Sequence, residues 1–264
     1  MPRIPGLAPG QITGLQEHRQ LSRLLSLLVL FSLPSWAITL VETQWYSAHG
    51  RSIGASCTGG VITLNWGTPT TSGELIYALA LEGESNRIGS VSDSASQAYT
   101  AGNSLPGNGH YTVKSFYVTG SNAGITSLAF TSASGSGDGC GTMLFWAGHW
   151  TGVATHDIAA NFGSAQSCSA FNSSPATTTN ANDLLLGMAA QYLGSGNWGM
   201  GTGWTLESPA TNASFAEAGD GNSIAIEQQL ASSIGGYSAA FILSASGKGC
   251  YAAFDSFKAA SLPQ

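Results

Sequence analysis

The side chains with types and spacings suited to chemistry are few. Glu82 and Glu84 alternate, and alternate residues of a strand share one face of its sheet. Two carboxyl groups held a few ångströms apart are what glycoside hydrolysis requires, so this pair is the candidate catalytic set. The Glu-x-Asp-x-x-Glu pattern of concanavalin-like glucanases is absent, and a solvated strand end is the plainer reading. His149 and His156 flank a short stretch, with Asp157 next in sequence, and would form a metal set if the loop between them folded back. Asp138 and Asp220 sit in Gly-rich turns where carboxylates either bind a structural calcium or cap the turn. Trp198 lies beside Asn197 in the most Gly-dense segment, 194–203, and a ring exposed there would stack on a sugar face. Trp150 and His149 complete the ligand-binding candidates, while Trp45, Trp66, Trp146 and Trp204 read as core. No Gly-x-Ser-x-Gly marks a nucleophile.

Elements that would position these residues are short strands. Alternating or apolar runs punctuated by Gly, Asn, Ser and Pro recur along the chain, and no long stretch shows a helical period. Eleven strands are expected, at 39–46, 61–66, 75–81, 88–93, 111–118, 126–130, 142–147, 183–190, 223–230, 237–243 and 251–257. That pattern predicts an all-β fold: one antiparallel β-sandwich, jelly-roll-like, of two facing layers over residues 38–264. Asp93 in Ser-Val-Ser-Asp-Ser is expected to cap a turn.

The 264 residues include 35 Gly, and only 8% are charged against roughly 25% in an average domain. Hydrophobic residues make up 43%, enough for a core, so disorder is not expected. A net charge of −6 leaves no basic footprint for nucleic acid. Arg19 and Arg23 precede an apolar run from Leu24 to Leu33, and Pro34-Ser35-Trp36-Ala37 follows with small residues at a cleavage-type site. Residues 1–37 therefore read as a secretory signal, too short in its apolar part for a membrane span. The four cysteines, Cys57, Cys140, Cys168 and Cys250, are even in number and lack a C-x-x-C, which suggests two disulfides in an exported protein. Three pairings are open; Cys140 with Cys168 is the local choice and leaves Cys57 with Cys250.

Several segments taken in order carry a resemblance. They are Gly73-Glu74-Leu75-Ile76-Tyr77-Ala78-Leu79-Ala80-Leu81, Ser90-Val91-Ser92-Asp93-Ser94-Ala95-Ser96-Gln97-Ala98-Tyr99-Thr100, Thr177-Thr178-Thr179-Asn180-Ala181-Asn182-Asp183-Leu184-Leu185-Leu186-Gly187, Tyr237-Ser238-Ala239-Ala240, and Tyr251-Ala252-Ala253-Phe254-Asp255-Ser256-Phe257-Lys258. The series resembles an uncharacterised β-sandwich module of large secreted and surface bacterial proteins, over about residues 38–258. The resemblance implies a secreted sandwich and, through the modules that accompany it, adhesion or glycan contact. His149-Trp150-Thr151-Gly152 stands where that family has a Glu-Tyr-Ser-Gly strand end, so a role tied to that Glu does not transfer.

These readings converge on a secreted, non-catalytic module of the cell surface whose partners are glycans or other surface polymers, with no cofactor beyond a structural calcium. The alternatives are a polysaccharide hydrolase on a jelly-roll scaffold, using Glu82 and Glu84, and a subunit that assembles through free strand edges.

Overall fold

A strand whose side chains are apolar at every position, rather than at every second one, must be covered on both faces. Leu75–Glu82, Met143–Thr151 and Leu184–Tyr192 approach this over most of their length, and they set the architecture. The computed structural model describes residues 37–47, 50–51, 53–82, 89–106, 111–133, 143–192, 197–207, 215–216 and 223–260, which belong to one compact unit. Residues 1–36, and with them the secretory-signal expectation, lie outside the described residues.

The central sheet contains β1 (Thr39–Ser47), β2 (Gly50–Arg51), β5 (Leu75–Glu82), β7 (Thr100–Pro106), β8 (Thr112–Val118) and β10 (Met143–Thr151). Its order is β2-β1-β10-β5-β8-β7, antiparallel throughout. On one side lies a front sheet of β3 (Ser56–Thr58), β4 (Val61–Asn65), β6 (Ser90–Asp93) and β9 (Ser127–Thr131), in the order β3-β4-β9-β6. On the other side lies a back sheet ordered β11-β19-β13-β17-β15, from β11 (Val153–Asn172), β13 (Leu184–Tyr192), β15 (Thr205–Leu206), β17 (Ser223–Leu230) and β19 (Ala240–Ala259). β14 (Trp198–Met200) adds to β19 and β16 (Phe215–Ala216) to β17, while β12 (Ala176–Thr177) and β18 (Gly236–Tyr237) form a small ribbon.

The alternation of each central strand distributes its residues between two cores. Leu75, Tyr77, Leu79 and Leu81 of β5 meet Leu186, Met188, Ile226 and Phe257 of the back sheet. Ile76, Ala78 and Ala80 of the same strand meet Ile62, Leu64, Leu128 and Phe130 of the front sheet. A third core lies on the far side of the back sheet, where Phe171, Trp198, Trp204, Phe241 and Leu243 cover Leu185, Ala189, Ala225 and Phe254. β19 contributes to this cover with its first residues and to the back sheet with its last, so one strand bridges two layers.

The all-β sandwich is as expected, and each of the eleven expected strands overlaps an observed one. Two details differ. The layers exceed two, because the apolar strands described above are covered on both faces. The described residues form nineteen strands rather than eleven, and the 20-residue β11 falls where none was expected. Its pairing with β19 shifts register at four places, and each bulge breaks the alternation by which a strand is recognised. β11 is also an edge strand, and its bulges blunt the pairing with another chain that a long flat edge would invite.

The cysteine pairing is corrected as well. Cys168 on β11 is bonded to Cys250 on β19, 82 residues later, because these strands are neighbours; neither expected pair forms. Cys57 is also disulfide-bonded, and no cysteine among the described residues is free. No helix among the described residues is long and apolar enough to cross a membrane.

Candidate functional site

Most of the acidic side chains among the described residues are buried within or between the layers. Asp255 on β19 has no exposed surface and accepts four hydrogen bonds. Tyr77 (2.8 Å) and Ser115 (3.1 Å) donate to Oδ2, and Asn103 Nδ2 (3.0 Å) and His156 Nε2 (3.3 Å) approach Oδ1. The donors come from β5, β8, β7 and β11, so one carboxylate ties the central sheet to the back sheet. Bulges in β7 and β11 bring Asn103 and His156 to it. A Cβ at Gly102 would lie 2.3 Å from Ser115 Oγ, so glycine lets the β7 backbone approach this node. Burial and the Asp255 charge push the Tyr77 phenol well above its ordinary pKa, keeping it a donor.

His149 belongs to a second node, between the central and front sheets. Its Nδ1 is 2.6 Å from Glu74 Oε2, and its ring packs 4.5 Å from that of Trp66. Nε2 finds no hydrogen-bond partner among the described residues. Glu74 also receives the backbone N–H and hydroxyl of Thr71. Burial pushes this carboxyl up, but the bonds from Thr71 and His149 outweigh it and leave the pKa below the ordinary value. Glu42, opposite His149 in the β1–β10 register, accepts the N–H groups of Gly67 and Thr68 and fixes the next loop.

The third core holds an isolated acid. Glu227 on β17 is fully buried over Gly187; Oε1 accepts the Ala240 N–H at 2.8 Å, and Oε2 has no partner among the described residues. Burial lifts its pKa to about 8, and burial alone lifts that of Glu207 to about 7. Asp157 and Asp183 face one another on the outer side of the back sheet, beside Lys258 and Thr179.

A surface suited to a ligand lies at one end of the sandwich. A cleft of about 320 Å³ opens between β1 of the central sheet and β15 and β17 of the back sheet. Its floor is the buried indole of Trp150, whose Nε1–H donates to Gln228 Oε1 at 3.0 Å. That bond settles which way the amide lies and turns Gln228 Nε2, a two-proton donor, away from the indole. Thr205 and Gln229 add polar groups, and Ile38, Leu40 and the half-exposed Leu230 supply apolar walls. No residue lining the cleft is ionisable. Its size falls at the lower end of small-molecule sites, about 300–1,000 Å³.

The expected site residues fall in different places. Trp150 lies in this cleft, whereas His149, next in sequence, points to the other face of the central sheet. Trp198 is a correction: its ring is 1% exposed, packs against Phe171 and Phe241, and donates to Ser223 Oγ. The glycines around it let the strand lie flat on the third core, which draws the indole inward. Only a shallow groove, shared with Asn197, Gly199, Ile242 and Ser244, remains there. Glu82 is not a solvated strand end; it is buried and bonded to the Ser132 hydroxyl. Glu84, Asp138 and Asp220 lie outside the described residues, so the Glu82–Glu84 pair and the calcium turns have no geometry here. His149 and His156 lie on opposite sides of the central sheet, which separates the expected metal set; no group of three or more metal-ligating side chains occurs among the described residues.

Asp93 caps its turn as expected, accepting from the N–H groups of Ala95 and Gln97. Gln228, Thr205 and the Asp157–Asp183–Lys258 group were not anticipated. A signal existed for the last: Thr179, Asp183 and Lys258 all stand in the segments that carry the family resemblance. No family model, curated protein or solved structure matches the chain.

Proposed function

We propose that this chain is a secreted, non-catalytic β-sandwich module of the cell surface that binds an uncharged carbohydrate in the cleft between β1 and β17. The observation that carries the reading is the cleft's composition: a buried indole, an oriented Gln228 amide, a threonine hydroxyl, apolar walls and no ionisable group. Sugars present both hydroxyls and C–H faces, and such a lining matches both. The buried acids support the non-catalytic part, since Glu74, Glu227 and Asp255 hold the layers together rather than facing an open surface. Export is supported by the disulfides, which persist in oxidising compartments. The test is a glycan array probed with the wild type and with Gln228→Leu, the variant first checked for an unchanged melting transition. Binding of neutral glycans by the wild type and loss in the variant is the expected result. Equal binding by both proteins, or none by the wild type, overturns the assignment.

A further inference from the structure

Asp157 on β11, Lys258 on β19 and Asp183 at the start of β13 converge where these three strands are neighbours. Lys258 Nζ is 3.2 Å from Asp157 Oδ1, and the Asp157 side chain is 2% exposed. Thr179 holds the same carboxylate from the other side, its hydroxyl donating to Oδ1 at 2.5 Å and its backbone N–H to Oδ2 at 2.8 Å. Asp183 has no exposed surface, and the Asn180 N–H lies beside its carboxyl. Its carboxyl is directed at Asp157. Two carboxyl groups in contact keep one proton between them rather than ionise together. Burial and the neighbouring carboxylate lift Asp183 to about 7; for Asp157, burial is outweighed by its donors, which bring it to about 2. Asp183 is thus the acid of the pair.

An amine, a carboxyl carbon, two donors on the carboxyl oxygens and a buried acid are the groups that acyl substitution needs. We propose that Lys258 and Asp157 join through an intramolecular amide bond, with Asp183 as the proton carrier. The neutral Lys258 amine attacks Asp157 Cγ, forming the N–C bond, while the Asp183 proton passes to an Asp157 oxygen. The Thr179 N–H holds Oδ2, on which negative charge develops, while its hydroxyl donates to Oδ1, the oxygen that leaves. Asp183 then takes a proton from the newly bound nitrogen and gives it to the hydroxyl on the tetrahedral carbon, the C–O bond breaks with departure of one water, and the proton shed by the Lys258 ammonium restores Asp183. In sum an ammonium and a carboxylate become an amide and water, with no oxidant or co-reactant. Lys258 is 36% exposed, so the released proton and water have a way out to solvent. Holding the two groups in contact replaces a bimolecular encounter, worth an effective concentration on the order of 10⁵ M or more when orientation is good.

The product would fasten edge strand β11 to β19 near one end of their pairing, while Cys168–Cys250 fastens the same two strands farther along. A surface module pulled by its neighbours gains from both. The inference is independent of what the cleft binds.

Peptide mapping by mass spectrometry tests it, on the full folded chain with its disulfides reduced and alkylated. The expected result is one branched peptide joining the Asp157 and Lys258 segments, lighter by one water than their sum. Lys258→Arg keeps the ion pair without a nucleophile, and Asp183→Asn keeps a donor to Asp157 without an acid. Both variants should fold, by circular dichroism, and give separate peptides. Unmodified Asp157 and Lys258 peptides from the folded wild type overturn the proposal, and a branched peptide from Asp183→Asn overturns the role given to Asp183.

Discussion

Glu227→Gln changes one heavy atom in the third core and should remove the pH dependence that this residue imposes. The wild-type carboxyl is fully buried, with one oxygen bonded to the Ala240 N–H and the other without a partner among the described residues. Burial raises its pKa from 4.5 to about 8. Between those values the folded chain holds a proton that the unfolded chain has released. Stability is therefore full below pH 4.5 and falls as pH rises through 8. From pH 5 to pH 8.5 the loss from this group alone is on the order of 4 kcal/mol. Against a typical total of about 5–15 kcal/mol, that is a large fraction. Glutamine keeps the acceptor for Ala240 and cannot ionise. Urea unfolding of both proteins at the two pH values, with disulfides intact, reads the effect as a shift in midpoint at constant slope. The variant should match the wild type at pH 5 and exceed it by several kcal/mol at pH 8.5. Glu207 and Asp183 push the wild type in the same direction, but they are common to both proteins and cancel in the difference. An equal pH dependence in the two proteins would refute the assignment of a buried, protonated Glu227.

Tyr77→Phe removes one of the four donors to Asp255 and should destabilise the fold by about 1.5–3 kcal/mol, read by urea midpoint; an unchanged midpoint would mean that the node does not link the sheets. Gly187→Ala places a Cβ 2.8 Å from Glu227 Cγ and 2.9 Å from that of Ala239, so a loss of about 1–3 kcal/mol in chemical unfolding is expected. Replacing Cys168 and Cys250 together by serine opens a bridge spanning 82 residues and should lower stability by about 2–5 kcal/mol, with non-reducing peptide maps of the wild type recovering that pair.

How far the sequence spoke depends on what kind of signal each element carries. β5, β10 and β13 were legible as strands because continuous apolar runs bounded by turns have few other solutions. The same runs held the news that more than two layers exist, since Ile76 and Ala78 need cover as much as Leu75 and Tyr77 do. β11 was illegible: its bulges and its Ala, Ser, Gly and Asn residues hide the period of two. Trp198 misled because surrounding glycines signal a loop, and the pattern does not say which way an indole in a loop will turn. Polar residues inside apolar strands, such as Asp255 between Phe254 and Phe257 or His149 between Trp146 and Trp150 of β10, were visible in sequence. Their partners lie 99 to 178 residues away in the first case and seventy-five in the second, a distance that spacing rules do not reach.

The central functional claim is that recognition falls to an uncharged cleft while the acids serve the layers. Its most direct measurement is the salt dependence of binding to the neutral glycan that ranks highest on the array, by titration calorimetry at low and high ionic strength. Charged contacts at an exposed site weaken as salt screens them, whereas hydrogen bonds and apolar stacking change little. Affinity should stay constant within a factor of about two across that range and vanish in Gln228→Leu. Affinity that collapses with salt, or that survives the substitution, would place the binding surface elsewhere and contradict the account.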